Sequence, residues 1–597
     1  MCLGTQRIVK VAFIGALLVS FSFAQTYDLP IFFVDTKNKC LDKYVTEKIP
    51  ATLKVLDGKT NAVADSAKGT PYDIGINIGE GYSALFPKPN YGIEIRDKKG
   101  GAKSESLLGY PPSSGWFLRG PYIDKSLLRE SFAQWLFRQA GRYSPRTRHF
   151  HLYVNGVYRG VYVLTEEINR DKYRVNIDEL KDTDIKDENL TGGYIWKFDT
   201  TSNISDKGFN TSDGLNVVLN APSKQSIQKV QEEYLKKYLN DLEALFKNGK
   251  DGTGYDGYVD VASMVDYVLH EELTDNTDSY VYNFFSYKPR GGKVTLGPLW
   301  QYDLAMSNSS NFGYGNPGKS WQIENSNKTS GSPMSGGSSA KAPQWLLQAW
   351  KRADFQNKLK DRWAELRSGV WHPKTIDAYL DSMKTYLKNA ADINFKRWPN
   401  LGKNSGQNDP DPEPMKYCNS GSGSSGGGFS MGMGGNNATT WDGEVEHVRK
   451  KVKERMTWMD QELGFLAPAN PVVTAPVDPT IHEPDWHEKP AEEIVVTPQE
   501  HKNSPNSKGF TELKSPTQPQ GIHQEGFGRL SPTNYFVVNG NHLEIYTDLG
   551  GTFALIDLNG SVLFKTRIET GVTSLKIPAT AKDKRWIATL NGKMLNK

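Results

Sequence analysis

The chain has 597 residues, 37% of them hydrophobic, which is enough for a large core with appendages and excludes a wholly disordered polymer. Its 72 basic and 68 acidic residues leave a formal net charge of +4, so charge gives no case for nucleic acid or an anionic membrane as the main partner. Three cysteines and ten histidines, with no C-x-x-C and no H-E-x-x-H, make no zinc pattern and disfavour a metallohydrolase.

Arg7 and Lys10 precede an apolar run over residues 11–23, and Ser22-Phe23-Ala24 has the small-x-small form of a cleavage site. The run is shorter than the roughly 20 residues a spanning helix needs. It predicts a secretory signal peptide over residues 1–24, with Gln25 as the first mature residue, no transmembrane segment, and a secreted or cell-surface protein. In such an oxidising compartment Cys40 and Cys418 are free to pair, but they lie far apart in sequence, and two separate thiols is the preferred reading.

Residues 28–36 and 91–96 read as strands. Residues 150–165 hold two β-rich runs on either side of Asn155-Gly156, a hairpin signal. Residues 126–139 have helical periodicity, with Asp124 placed to cap them. Residues 226–247, 258–273, 343–368, 374–398 and 445–463 read as long helices. Strands come first and helices later, which predicts an α+β domain over residues 25–466. Inside it, residues 420–437 form a Gly/Ser-rich loop. Residues 467–530, rich in Pro, Glu and polar residues, read as a disordered linker. In residues 531–597 short strand-like runs recur, with a turn at Asp557-Leu558-Asn559-Gly560, and predict a small all-β sandwich.

The segment most informative about chemistry is residues 272–308. Asp278 and Asn283 bracket four residues, the D-x-x-x-x-N spacing of a kinase catalytic loop, which supplies an Asp base and an Asn metal ligand. Asp303 follows a β-type run and a Gly-Pro turn, placed as a second metal-binding carboxylate. Phosphoryl transfer needs these types: a carboxylate orients the acceptor hydroxyl, and oxygen ligands hold a divalent ion on the triphosphate. Spacing alone is weak, since Asp-Asn clusters after a helix are usually caps or turns.

The surroundings add weight. Glu272-Leu273-x-x-Asn276-x-Asp278, then Lys288, then Gly297-Pro298-Leu299-Trp300-x-x-Asp303-Leu304-Ala305 resembles the motif of the CotH kinase family. Phe86-Pro87-Lys88, the strand at 91–95, Trp116-x-Leu118 with Asp124-x-Ser126-Leu127-Leu128-Arg129, and Asn155-Gly156-x-Tyr158-x-Gly160-x-Tyr162 with Glu166 resemble further family segments in the same order, as do Arg362-Trp363 and Arg397-Trp398. The resemblance covers about residues 28–463.

It implies an atypical kinase-like fold, ATP with Mg2+ or Mn2+, and phosphate transfer to Ser or Thr of extracellular proteins. Carried over, Asp278 is the catalytic base, Asn283 and Asp303 are metal ligands, Lys88 contacts phosphate and Glu166 is its partner. Arg129 faces the nucleotide or is structural, at even odds, and Trp116, Trp300 and Trp363 are read as core. Residues 531–597 resemble the sorting domains of type IX secretion, an outer-membrane export route, about as well as an ordinary β accessory module.

Three positions depart from the family pattern: Gln301 in place of the first acid of W-D-x-D, Lys197 where an acid often follows the G-G-Y strand, and Met306-Ser307 for F-G. No G-x-G-x-x-G loop or Walker A is present. Three readings therefore stand, in this order: an active secreted kinase, an inactive surface scaffold that binds a protein or polysaccharide, and a hydrolase with paired carboxylates such as a glycosidase.

Overall fold

The computed structural model describes residues 26–471, apart from 43–44, 80–81, 200–203, 309–318, 327–341, 407–408 and 415–437, together with the strands between residues 535 and 594. The predicted signal peptide, the Gly/Ser-rich loop, Cys418 and nearly all of the predicted linker lie outside the described residues. The chain divides into two compact units, Met1–Gln499 and Glu500–Lys597.

The first unit opens with a closed barrel. Its strands neighbour one another in the order Ile31–Asp35, Ile49–Leu56, Thr70–Ile78, Tyr91–Arg96, Gly115–Arg119, Val157–Glu166 and Thr147–Val154. Every pairing is antiparallel except the closing one, where Ile31–Asp35 runs parallel to Thr147–Val154 with Ile31 opposite His151. Apolar residues at alternate positions give each strand one buried face. Tyr91, Ile93 and Ile95 do so on one strand, and they meet Phe32, Leu53, Ile74, Trp116 and Phe150 inside. Closure also removes exposed strand edges. The predicted hairpin forms: Asn155 (φ 50°) and Gly156 (φ 79°) both take the positive φ that a tight two-residue turn requires.

A five-stranded antiparallel sheet follows, ordered Gly208–Asn210, Asn216–Ala221, Tyr194–Phe198, Phe284–Lys288 and Thr295–Leu296. With it the helices Arg129–Gln139, Lys229–Ala244, Val261–Thr274, Ala353–Ser368, Pro373–Arg397 and Trp441–Leu463 build a second, larger core. The fold is α+β, strand-rich first and helical later, as expected.

Asp124 serves the Arg129–Gln139 helix from outside the cap position, its Oδ2 accepting the Arg129 N–H at 2.9 Å. The helix expected over 343–368 is two, Gln344–Trp350 and Ala353–Ser368. Arg352 between them is extended (ψ 137°) and donates to Asp354 in the first turn of the second helix, at the end that favours an acid. Cys40 is disulfide-bonded, which corrects the expectation of separate thiols. Its partner lies outside the described residues. Among the described residues no helix is long and apolar enough to cross a membrane.

The second unit holds two antiparallel sheets. One is Tyr535–Asn539, His542–Thr547 and Gly571–Lys576; the other is Val562–Ile568, Gly551–Asp557, Trp586–Leu590 and Lys593–Met594. Gly551–Asp557 pairs antiparallel with Val562–Ile568, and residues 558–560 of the predicted turn lie outside the described residues.

Candidate active site

Two segments carry the predicted chemistry, 275–283 between a helix and a strand, and the turn 300–307. Among the described residues thirteen non-glycine residues take positive φ, and six of them lie here: Asp275, Tyr280, Asn283, Gln301, Met306 and Ser307. Such backbone costs of order 1–3 kcal/mol per residue and persists only where the surroundings impose it. Its concentration in two facing segments marks them as a built site.

The surroundings that impose it are buried polar ties. The Val261–Thr274 helix starts on Asp260, which accepts the N–H groups of Ala262 and Ser263, and ends with Asp275 in the left-handed region. Glu272, fully buried, accepts the Tyr280 hydroxyl at 2.9 Å and the N–H groups of Gln322 and Ile323 at 2.7 and 2.8 Å, and pairs with Arg455 at 2.8 Å. Its neighbour Glu271 accepts the Tyr302 hydroxyl and the Asn276 amide. Burial pushes the Glu271 carboxyl up to about 8, so it is mainly protonated at neutral pH. Arg129 joins the turn to the loop before its helix. Its Nε donates to the Ala305 carbonyl at 3.1 Å and its Nη1 to Asp124 at 2.6 Å and Ser126 at 3.2 Å. Arg129 has no exposed surface; these bonds tie the loop to the turn, while its Nη2 is buried without a hydrogen-bond partner among the described residues.

Within this frame the carboxylates gather. Burial, then the negative charges of Asp303 and Asp199, push Asp278 up to about 7. Burial, then Glu130, push Asp303 up to about 6, against the pull of Arg119. Asp303 Oδ1 is buried and has no hydrogen-bond partner among the described residues. Strand register supplies the rest. Phe198 lies opposite Phe284, so Asp199 and Asn283 sit side by side at the ends of adjacent strands. The Lys197 ammonium is 2.5 Å from Asp199 Oδ2 and 2.9 Å from Asn283 Oδ1. Asn283 Nδ2 in turn donates to Gln301 Oε1 at 3.3 Å. Asn283, expected as a metal ligand, thus has its oxygen accepting an ammonium, which repels a second cation.

Arg119, Glu130, Lys197 and Asp199 are members of the site that sequence reasoning did not assign. The Arg119 guanidinium lies over the Trp300 ring, 4.1 Å from its centre. Its Nε is 3.2 Å from Glu130 Oε1 but poorly aligned, so Nε and Nη2 are buried without a hydrogen-bond partner. Trp300 is partly exposed and meets Phe117 and Phe285 at its edges, whereas Trp116 and Trp363 are core, as expected. The local signals were slight: Arg119 ends the W-F-L-R strand, Lys197 stands where the family often has an acid, and Asp199 follows the strand Tyr194–Phe198.

Lys88 and Glu166 do not meet. Lys88, 1% exposed, donates to Asn394 Oδ1 at 3.0 Å over the Tyr162 ring. Burial holds its ammonium well below the usual lysine range, with Arg159 and Arg397 adding to the effect and Asp124 opposing it. Glu166 is bound by Arg146, through Nη2 at 2.6 Å, Nε at 3.0 Å and the backbone N–H at 3.0 Å, with Arg174 at 3.5 Å. Register explains this: Thr147 pairs with Thr165, which puts Arg146 beside Glu166. A polar cavity lined by Asp57, Asn61, Asp65 and Tyr72 contains none of the predicted residues.

Among the described residues no group of three or more His, Cys, Asp or Glu side chains is placed to hold a metal ion. Mg2+ sites in phosphoryl transfer commonly use one or two carboxylates plus substrate phosphates. The unpartnered Asp303 oxygen and the Asp278 carboxylate beside it fit an ion that arrives with a nucleotide. A family model described as CotH kinase protein matches residues 78–459, more than half of the chain and both segments of the site. No curated protein matches the chain.

Proposed function

The chain belongs to the CotH kinase family, and from that premise we propose that it is a secreted atypical protein kinase. It transfers the γ-phosphate of ATP to Ser or Thr hydroxyls of extracellular or cell-surface proteins, with Mg2+ or Mn2+. The observation that carries this reading is the buried Asp303 oxygen without a hydrogen-bond partner among the described residues, in a turn tied through Gln301 and Ser307 to the segment that carries Asp278, whose carboxyl is raised to about 7 by burial and the charge of Asp303. A general base works best with a pKa near the operating pH.

In this reading Asp278 accepts the proton of the acceptor hydroxyl as its oxygen forms a bond to the γ-phosphorus and the bond to ADP breaks. Asp303 would hold the divalent ion, which when bound would offset the charge on the phosphate oxygens. Arg119, with two buried N–H groups unpartnered, is placed to meet a phosphate oxygen. The apolar leader over residues 11–23 supports export, and a β-rich second unit at the C-terminal end supports an outer-membrane sorting role.

A second reading, an inactive scaffold of the same fold, is favoured by the Lys197 ammonium on Asn283 and by the neutral Gln301. The test is label transfer from ATP by the whole mature chain with Mg2+ or Mn2+, beside Asp278→Ala and Asp303→Ala. Metal-dependent transfer lost by about 10³-fold or more in both variants supports the kinase, the scale expected when a residue essential to phosphoryl transfer is removed. ATP binding without transfer supports the scaffold, and no ATP binding removes the kinase reading.

A further inference from the structure

Lys197 is the residue least expected in a cluster of carboxylates meant for metal chemistry. Its ammonium lies between two hard oxygen donors from adjacent strands, Asp199 Oδ2 at 2.5 Å and Asn283 Oδ1 at 2.9 Å. A carboxylate and an amide oxygen are also what a magnesium-type cation takes. We propose that the Lys197 ammonium stands where a second metal ion would otherwise bind, so that the site works with a single divalent ion held from the Asp303 side. The inference rests on the nucleotide-binding reading above.

Three further observations point the same way. Register fixes the lysine: Lys197 pairs with Phe285, and its ammonium lies 5.9 Å from the centre of that ring, so the side chain runs along the sheet toward Asn283. The amide of Asn283 is committed at both ends, its oxygen to Lys197 and its N–H to Gln301 Oε1 at 3.3 Å. Gln301 is itself neutral and adds no charge of its own to attract an ion. A second divalent ion at this position would sit against the Lys197 ammonium. Asn283 is then a positioning residue, acting through Lys197 and Gln301.

The test counts Mn2+ ions bound per molecule of the imido-bridged ATP analogue on the full chain, by electron paramagnetic resonance, with melting temperature as the folding control. One ion is expected on the unmodified protein. Lys197→Met removes the ammonium from between Asp199 and Asn283 and is expected to bind two, with Lys197→Arg returning the count to one. Two ions on the unmodified protein, or one on a folded Lys197→Met, overturn the proposal. The unmodified count decides the matter even if Lys197→Met does not fold. Failure to bind the analogue at all overturns the kinase reading, and this inference with it, and so differs from a count of two.

Discussion

Asp278 is held in a state that suits chemistry and opposes stability. Its carboxyl is raised from 3.8 to about 7, so the folded protein keeps a proton that the unfolded chain has lost over that range. Stability contributed by this residue therefore falls as pH rises from about 4 to 7, and the full penalty stands above 7. Asp278→Asn removes the charge and keeps the shape. It is expected to raise the melting temperature at pH 8 by ~1–3 °C, on the order of 1–2 kcal/mol, and to change it little at pH 5. Phosphate transfer should be lost at both. Melting curves at the two pH values check this, and an unchanged or lower melting temperature at pH 8 contradicts the burial of a charged carboxylate. Asp278, Asn283 and Asp303 were legible because they share two short segments. Lys197 was visible as a departure, but its contact with Asn283, 86 residues away, is made by strand register, which no local spacing encodes. The Lys88–Glu166 pairing failed for the same reason, since register gave Glu166 to Arg146.

At the scale of elements, the end of the Val261–Thr274 helix places two adjacent acids in opposite circumstances. Glu272 is matched by Arg455 and three further donors, and removing it would strand a buried arginine, at about 3–5 kcal/mol. Glu271 has no cation partner among its resolved hydrogen bonds, and burial lifts it from 4.5 to about 8. The folded state thus holds its proton where the unfolded chain does not, and stability falls as pH rises from about 4.5 to 8. Glu271→Gln keeps the two hydrogen-bonding neighbours and cannot ionise, so it should flatten that decline. Glu271→Ala should destabilise at every pH by about 2 kcal/mol or more, through a cavity and two stranded partners. Urea unfolding from pH 5 to 8 measures both, and parallel pH profiles for the Gln variant and the parent would refute the assignment. Periodicity placed the ends of the long helices it predicted to within about a turn and the Asn155-Gly156 hairpin outright, but not the short helices Ile204–Lys207 and Gln322–Asn325. It missed the break at Arg352, where residues on both sides suit a helix and a side-chain contact decides.

For the whole molecule, sequence composition already separated a large mixed unit from a β-rich tail, while closure of the barrel by a parallel pairing between Ile31 and His151 left no local trace. What completes the first unit is its last helix, Trp441–Leu463. Val445, Val448, Val452, Met456 and Met459 are each at most 1% exposed, a stripe at helical spacing that fills the larger core. Arg455 closes on Glu272, and the Trp441 ring N–H donates to the Ser126 carbonyl in the loop that Arg129 ties to the turn at 302–307. Burying those five side chains contributes roughly 10 kcal/mol, as much as the net stability of a typical domain. A chain ending at Gln499 should therefore keep a cooperative melting transition and its analogue binding, since the second unit has its own sheets. A chain ending at Thr440 should lose both, because Glu272 would be left buried without Arg455 beneath an open groove. Calorimetry of the two truncations beside the full chain makes the comparison. A cooperative transition at unchanged temperature without residues 441–463 would mean that the site is held by the barrel and sheet alone, and that the Glu272–Arg455 contact contributes nothing to its shape.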